Sequence, residues 1–200
     1  QAAPLSIESL NHDNRTAEAI FTTGDLINHR VLHNGVYKAM PTRILVEENA
    51  IDLDFLIRQG PLLENHFSFS SEFIIGSIED AWVKNGEGRA RIRFADTPDV
   101  EQIWQKICQG HIRNISAGFE VLKQEVRPET AEDGTEFDVI YFTNIKVFEL
   151  SIVPVPADQG AYIQSSGVPV TPVLPKAGAI PHLSCQGKEN NMAENIPENV

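Results

Sequence analysis

The aromatic residues are confined to one part of the chain, and this limits where a folded domain can lie. All 15 Phe, Trp and Tyr residues of the 200-residue sequence lie at or before Tyr162. The last 36 residues, 165–200, contain none of them and hold five of the 12 prolines. Such a segment buries too little apolar surface to offset its ordering entropy. We therefore predict a folded domain over residues 1–163, followed over residues 164–200 by a Pro-rich linker and a polar, disordered tail.

The charge balance argues against two classes of partner. The chain carries 16 basic and 28 acidic residues, a formal net charge of −12 with neutral histidines. Such an acidic protein attracts neither nucleic-acid phosphates nor anionic lipids through general electrostatics. No apolar run approaches the roughly 18 residues that span a bilayer. We expect no nucleic-acid partner and no membrane partner.

The number of cysteines and the absence of known binding motifs argue against disulfides, metal sites and cofactor sites. Cys108 and Cys185 are too few for a disulfide framework or a zinc site, so a reducing, intracellular setting is expected. The sequence has no Gly-rich phosphate loop, no Cys-x-x-Cys pair and no His-Glu-x-x-His motif, so we expect no cofactor and no metal. The N-terminus, residues 1–4, shows neither an initiator Met nor a signal-peptide pattern, which indicates a processed or excised piece.

Alternating apolar residues and strong turn signals predict a mainly β domain. Residues 85–88, Asn-Gly-Glu-Gly, form a strong turn sequence between two β-rich segments, so a hairpin is expected there. The sequence pattern predicts strands at residues 15–23, 73–83, 89–94, 112–126 and 137–155.

Two short helices and one loop interrupt these strands. Residues 49–59 place apolar side chains at helical spacing and stop at Gly60, which predicts a helix with a glycine C-cap. A second helix is predicted to begin with Pro98 and to end at Gly110. Residues 127–136 combine proline, several acids and Asp-Gly, which predicts a mobile loop. A partly closed, mainly antiparallel β-barrel with peripheral helices fits this order best.

A histidine follows an apolar stretch that ends in a turn. Within residues 60–67 a Leu-Leu pair leads into Glu-Asn and then to His66. Imidazole titrates near neutral pH, so His66 can take a proton from a hydroxyl and return it to a leaving amine. The alternative is an ordinary loop histidine. The other histidines lie among polar or loop residues with nothing obvious to orient them: His12, His29, His33, His111 and His182.

A serine lies beside two small residues in a β-rich run. Ser116 is followed by Ala117 and Gly118, which leave space for a substrate carbonyl and allow close backbone approach. The segment is not the Gly-x-Ser-x-Gly elbow of α/β-hydrolases, because position 114 is Asn. The alternative is a strand serine beside a bulge glycine.

A carboxylate lies inside the apolar strand predicted before Pro154. In a regular strand, Glu149 shares a face with Val147 and Ser151, whereas Phe148 points to the opposite face. An unpaired buried carboxylate is costly, so Glu149 needs a partner. An imidazolium is a suitable partner, and orienting the base is the third role in a catalytic triad. The alternatives are a solvent-facing glutamate and a glutamate paired with arginine.

Taken in order, these segments resemble the prohead (procapsid maturation) serine proteases of tailed bacteriophages. The resemblance covers most of residues 15–162, and its matching stretches are 60–66, 75–83, 90–94, 103–104, 110–121 and 149–157. This family is similar in fold to the assemblin-like herpesvirus maturation proteases, a seven-stranded barrel surrounded by helices. The resemblance implies that His66 is the general base, Ser116 the nucleophile and Glu149 the third member, where the herpesvirus proteins have a second histidine.

The resemblance also implies a function. It indicates a serine endopeptidase that cleaves phage capsid and scaffold proteins, and itself, during prohead maturation. Its expected partners are the major capsid protein and a scaffold segment as substrates, and further copies of itself in a homo-oligomer. Its expected location is the host cytoplasm, inside the assembling procapsid. Related phages can join the protease to the major capsid protein, and the Pro-rich stretch 168–175 with its polar continuation suits such a fusion.

Two other functional classes are compatible with the residues alone. A non-catalytic capsid assembly or scaffolding module could keep the same fold without bringing the three candidate residues together. An unrelated β-barrel binding module would pack Ser116 against the core. It would line a ligand pocket with Trp82, Trp104 and Phe119.

Overall fold

The computed structural model describes residues 10–33 and 35–164, which form one curled β-sheet with short peripheral helices. The strands are Thr16–Thr22 (β1), Ile27–His33 (β2), Val36–Ile44 (β3), Ile51–Asp52 (β4), Pro61–Glu64 (β5), Ile74–Lys84 (β6), Glu87–Phe94 (β7), Ile115–Thr130 (β8), Glu136–Ile152 (β9) and Tyr162–Ile163 (β10). The helices are Asp54–Gln59 (α1) and Pro98–Cys108 (α2), with a 3₁₀ turn at Ser71–Phe73. The predicted linker and tail, from residue 165 onward, lie outside the described residues, so the domain boundary stays a prediction.

Strand β9 is the axis of the sheet. Strand β8 runs antiparallel along one edge of β9, and β3, β4 and β5 pair in parallel with successive parts of its other edge. The order across the sheet is β10-β1-β7-β6-β5-β9-β3-β2. The sheet curls so that Asn114, just before β8, forms an antiparallel bridge with Tyr162 of β10. The predicted partly closed, mainly antiparallel barrel is thus confirmed.

The core lies inside this curl, and α2 packs onto it. Pro98 starts α2 as predicted, and the helix buries Val100, Trp104 and Ile107. The Trp104 ring lies 5.3 Å from that of Phe94 on β7. In the described part of the chain, no helix is long and apolar enough to cross a membrane.

The β6–β7 hairpin forms where the Asn-Gly turn predicts it. Asn85 and Gly86 have φ angles of 55° and 74°, which is the left-handed conformation that a two-residue hairpin turn requires. The first helix is shorter than predicted: residues 51–52 pair with β9, and α1 starts only at Asp54. The pairing of β4 with β9 takes these residues out of the helical pattern.

The loop predicted at residues 127–136 is confirmed only at 131–135; residues 127–130 and 136 are strand, because β8 and β9 form one long hairpin with a short turn between them. Glu129 holds the far end of this hairpin. It accepts hydrogen bonds from Arg43 Nε of β3 at 2.8 Å and from the Tyr141 hydroxyl of β9 at 2.6 Å. Pro128 is tolerated because a strand edge needs no backbone donor there. Tertiary contacts therefore override the local loop signal.

Candidate active site

A strained turn places His66 beside the end of β9. Asn65 and His66 have φ angles of 54° and 60°, a left-handed conformation that is uncommon for residues other than glycine. The turn is held by hydrogen bonds from the Phe67 N–H to the Glu64 carbonyl at 3.1 Å and from the Asn65 N–H to the Ile152 carbonyl at 3.0 Å. Strain of this kind persists where the surroundings over-determine the backbone, and it is concentrated at functional sites.

His66 contacts the predicted partner carboxylate. Its Nδ1 lies 2.6 Å from Glu149 Oε1, and the histidine side chain is 42% exposed whereas that of Glu149 is 4% exposed. The pair therefore joins a solvent-accessible imidazole to a buried carboxylate. Because a carboxylate accepts this bond, Nδ1 is the protonated nitrogen, and Nε2 keeps the free lone pair.

Ser151 bonds to both members of the His66–Glu149 pair. Its hydroxyl donates to Glu149 Oε2 at 2.7 Å and accepts the backbone N–H of His66 at 3.1 Å. The Ser151 side chain is fully buried. The carboxylate is thus bonded at both oxygens, and His66 is held through its ring and its main chain. Sequence reasoning gave Ser151 no role, although its position two residues after Glu149 on one strand face was a usable signal.

The pair shifts the titration of His66. The hydrogen bond to Glu149 raises the pKa of His66 above the ordinary value of about 6.5, while partial burial acts in the opposite direction. The pKa of His66 rises because the Glu149 carboxylate stabilises the charged imidazolium more than the neutral imidazole. A histidine with a raised pKa and an accessible Nε2 is suited to proton transfer near neutral pH.

Ser116 lies on the adjacent strand, on the same sheet face as Glu149 and Ser151. In the β8–β9 register, Ser116 is directly opposite Ser151, and Gly118 is opposite Glu149. Side chains directly opposite one another lie about 5 Å apart at Cβ. Among the described residues, the Ser116 hydroxyl has no hydrogen-bond partner, His66 included. The structure thus brings His66 and Glu149 into contact and places Ser116 one strand away.

Gly118 makes room for the carboxylate. A Cβ added at Gly118 would overlap Glu149 Oε1, and it would lie 2.7 Å from Glu149 Cδ. The glycine expected to allow close backbone approach therefore admits a side chain from the neighbouring strand. An alanine at this position would displace the Glu149 carboxylate from His66.

A β-bulge sets the faces of β9 at the site. Gly118 pairs with Glu149 but Phe119 pairs with Val147, so Phe148 has no partner across the ladder. Val147 is therefore fully buried in the core, and Phe148 is 40% exposed. The prediction that Val147 and Glu149 share a face is wrong, because the extra residue reverses the alternation. Bulges often occur beside active sites, where they re-aim side chains.

A cleft of about 310 Å³ opens beside the pair. Its lining includes His66, Glu149, Gly118, Phe119 and Phe148, while Ser116 is not part of the lining. Neither predicted tryptophan of the binding-module alternative lines the cleft: they are Trp82 and Trp104.

The fold and the site define a class of protein. A histidine bonded through Nδ1 to a buried carboxylate, next to a strand that presents a serine, has the components of the serine-hydrolase active site. Residues 66–172, just over half of the chain, match the family described as "Caudovirus prohead serine protease". The chain belongs to this family. All three predicted site residues lie inside the matched segment.

A phage capsid protein is among the relatives. The chain is 36% identical over 112 residues to a protein named "Major capsid protein" of Halomonas phage phiHAP-1. The match covers 56% of this chain but only 18% of that relative, so the chain spans a small part of that protein. This agrees with the resemblance to proteases joined to a capsid protein. No solved structure gives a significant match.

Proposed function

We propose that this chain is a serine endopeptidase that cuts phage capsid and scaffold proteins, and its own polypeptide, during prohead maturation. One observation carries the proposal: the 2.6 Å contact between His66 Nδ1 and the buried Glu149 carboxylate. Family membership and the capsid-protein relative support the choice of substrate. The site of action is then the interior of the assembling procapsid, in the host cytoplasm.

In the proposed reaction, Ser116 is the nucleophile and His66 the general base. His66 Nε2 takes the proton of the Ser116 hydroxyl as its oxygen attacks the scissile carbonyl, and an acyl-enzyme forms as the imidazolium protonates the leaving amine. Water, deprotonated by His66, then attacks the acyl carbonyl; the bond to Ser116 Oγ breaks, the imidazolium returns its proton to that oxygen, and the new carboxyl end is released. Glu149 keeps the proton on Nδ1 and stabilises the imidazolium in both steps.

The catalytic contact is expected to tighten when substrate binds. Ser116 Oγ makes no hydrogen bond to described residues, so the serine side chain can rotate, whereas the His66 ring is held at Nδ1 by Glu149. Hydrogen bonds between catalytic groups are often long in free enzymes and shorten only in the substrate complex. A non-catalytic assembly module with this fold would also lack a hydrogen bond between Ser116 and His66. A measurement of activity therefore distinguishes the endopeptidase from the assembly module.

A fluorophosphonate probe separates these two functions. We expect the probe to label Ser116 in the wild-type chain, with labelling lost in Ser116→Ala and strongly reduced in His66→Ala. Cleavage of a capsid-protein substrate should fall by at least about a thousand-fold in each variant, because the two residues act as a unit. Ser71→Ala, which changes an exposed serine in the 3₁₀ turn, is the matched control and should keep full labelling. A wild-type rate in Ser116→Ala would assign the chain to the non-catalytic class.

A further inference from the structure

We propose that the cleft beside His66 is a substrate subsite that accepts one large, uncharged apolar side chain next to the scissile bond. The inference rests on the proposed endopeptidase function and names the substrate feature that this enzyme selects. It concerns the cleft of about 310 Å³ between the His66 turn and the β8–β9 bulge.

The cleft has an apolar side and a polar side, and the polar residues of its lining are His29, His66, Ser68 and Glu149. Phe119 and Phe148 contribute rings, and Ala117 and Gly118 contribute the small residues of β8. The volume is at the lower end of the range for ligand pockets, which suits one side chain better than a whole ligand. Because His66 also lines the cleft and Ala117 and Gly118 follow Ser116 on β8, a side chain bound there belongs to a residue held beside the proposed general base and close to the proposed nucleophile.

The polar groups of the cleft offer no partner for a charged side chain. Both oxygens of Glu149 are already bonded, one to His66 and one to Ser151. Burial lowers the pKa of His29, so its imidazole is neutral at pH 7. Its ring stacks at 6.1 Å on that of Phe119. In the active form His66 is neutral, and the carboxylate of the lining, Glu149, is buried and bonded at both oxygens. A lysine or aspartate side chain would therefore lose hydration here with little compensation from an accessible counter-charge.

The bulge exposes one of these rings. Phe148 has no partner across the ladder, and it is 40% exposed at the cleft instead of packed in the core. The segment that follows His66 in the sequence holds a cluster of Phe67, Phe69 and Phe73, whose ring centroids are 4.9 to 5.7 Å apart. Phe69 is 78% exposed. An exposed aromatic ring beside a general base is available to pack against a substrate side chain.

The chain's own tail contains side chains of the required kind. The polar stretch 184–200 includes Met192 and Ile196, each with uncharged neighbours on at least one side. A substrate is therefore expected to present a methionine, leucine, isoleucine or phenylalanine to the cleft. Acidic or basic residues are expected to be rejected at the same position.

Cleavage profiling with a peptide library tests the subsite. The full chain should cut peptides with a large apolar residue at one position beside the scissile bond at least about tenfold faster than peptides with Asp or Lys there. Phe148→Lys should lower this ratio about tenfold and raise the cutting of peptides with Asp or Glu at that position. Phe148→Ser, which adds no charge, should lower the ratio without the gain for acidic peptides. Val126→Lys adds the same charge at an exposed residue of β8, eight residues beyond Gly118, and should match the wild-type profile.

A binding measurement separates failure of the subsite from failure of the enzyme. Labelled peptides of residues 184–200, with Met192 and Ile196 intact or both changed to Asp, are titrated into the Ser116→Ala chain and followed by fluorescence anisotropy. The intact peptide should bind about tenfold more tightly, and Phe148→Lys should remove that difference. Equal binding of the two peptides, or a wild-type library profile without an apolar preference, overturns the subsite. Loss of fluorophosphonate labelling with preserved selective binding would overturn only the endopeptidase.

Discussion

At the scale of single residues, the site depends on one buried carboxylate with two donors. Glu149 is held by His66 at one oxygen and by Ser151 at the other, and Gly118 leaves the space that it occupies. Each of these residues acts through Glu149, so changes to them should alter the titration or the geometry of His66. Glu149→Gln tests the titration of His66, and Ser151→Ala tests what the hydroxyl contributes to stability.

The activity should rise with pH through a midpoint above the ordinary histidine value. A general base must be neutral, and the bond to Glu149 raises the pKa of His66. Glu149→Gln removes the negative charge, so the midpoint of kcat/KM against pH should move to lower pH while the plateau falls. The residual activity of Glu149→Gln should exceed that of Ser116→Ala. An unchanged or higher midpoint in Glu149→Gln would contradict the role given to the pair.

The same shift has a consequence for stability. A pKa that is raised on folding stabilises the folded state fully below the unfolded value of about 6.5, and this contribution is lost as the pH rises through the folded-state pKa. The His66–Glu149 pair should therefore stabilise the fold most in mildly acidic solution. Activity and this stabilisation thus change in opposite directions as His66 loses its proton.

Ser151→Ala should destabilise the fold by about 1–3 kcal/mol, because it leaves the buried Glu149 Oε2 and the His66 N–H without their partner. Urea denaturation measures the change. Ser71→Ala, at an exposed serine, should stay within about 0.5 kcal/mol of wild type. Equal midpoints for the two variants would show that the hydroxyl contributes nothing.

At the scale of elements, the β8–β9 hairpin carries the site. It presents Ser116 and Gly118 on one strand and Glu149 and Ser151 on the other, and its bulge exposes Phe148. Strand β5 pairs in parallel with the end of β9 and so brings the His66 turn to the same place. Three neighbouring strand segments therefore contribute every group of the candidate site.

Helix α2 stabilises the barrel from outside this hairpin. Trp104→Ala should lower the free energy of unfolding by about 3–5 kcal/mol, because it removes a 6% exposed ring that packs on Phe94. Urea denaturation measures the loss. Phe69→Ala, at a ring that is 78% exposed, is the control and should cost far less. A similar small loss in both variants would contradict the placement of Trp104 in the core.

At the scale of the whole molecule, the chain matches only a small part of a larger capsid-protein relative. The family match runs to residue 172, and the capsid-protein match covers 18% of that protein. A protease joined to its substrate meets its own linker at high effective concentration. Proteolysis also needs an extended segment that can pair with the site through backbone hydrogen bonds. Both conditions favour the self-processing that is proposed above.

A precursor that continues beyond Val200 should cut itself within or just past the tail, in a Ser116-dependent way. The stretch 184–200 is the expected region, because the prolines of 168–175 restrict the backbone and remove donors. Mass spectrometry of wild-type and Ser116→Ala precursors measures the termini. Identical termini in both would rule out self-cleavage and leave a host enzyme, or no cleavage, as the explanation.

Short-range signals determined much of this protein in advance. The Asn85-Gly86 turn, the proline that starts α2 and the alternation in the strands predicted elements that the structure contains, because each depends on local backbone preferences. The residue types and the family resemblance were enough to select Ser116, His66 and Glu149 as candidates. Their catalytic roles stay predictions until activity is measured.

Only the tertiary structure decided the features that depend on contacts between distant strands. Residues 127–130 of the predicted loop are strand, and there Glu129 bonds to Arg43, 86 residues away in sequence. The bulge at Phe148 is set by the register against β8, and it turned Val147 away from Glu149. Ser151 has its role only because the fold brings the turn at His66 next to it, where the His66 N–H donates to the Ser151 hydroxyl. A local pattern does not specify where a bulge interrupts the register or which distant residue bonds a buried polar group, because both depend on the packing of the whole sheet.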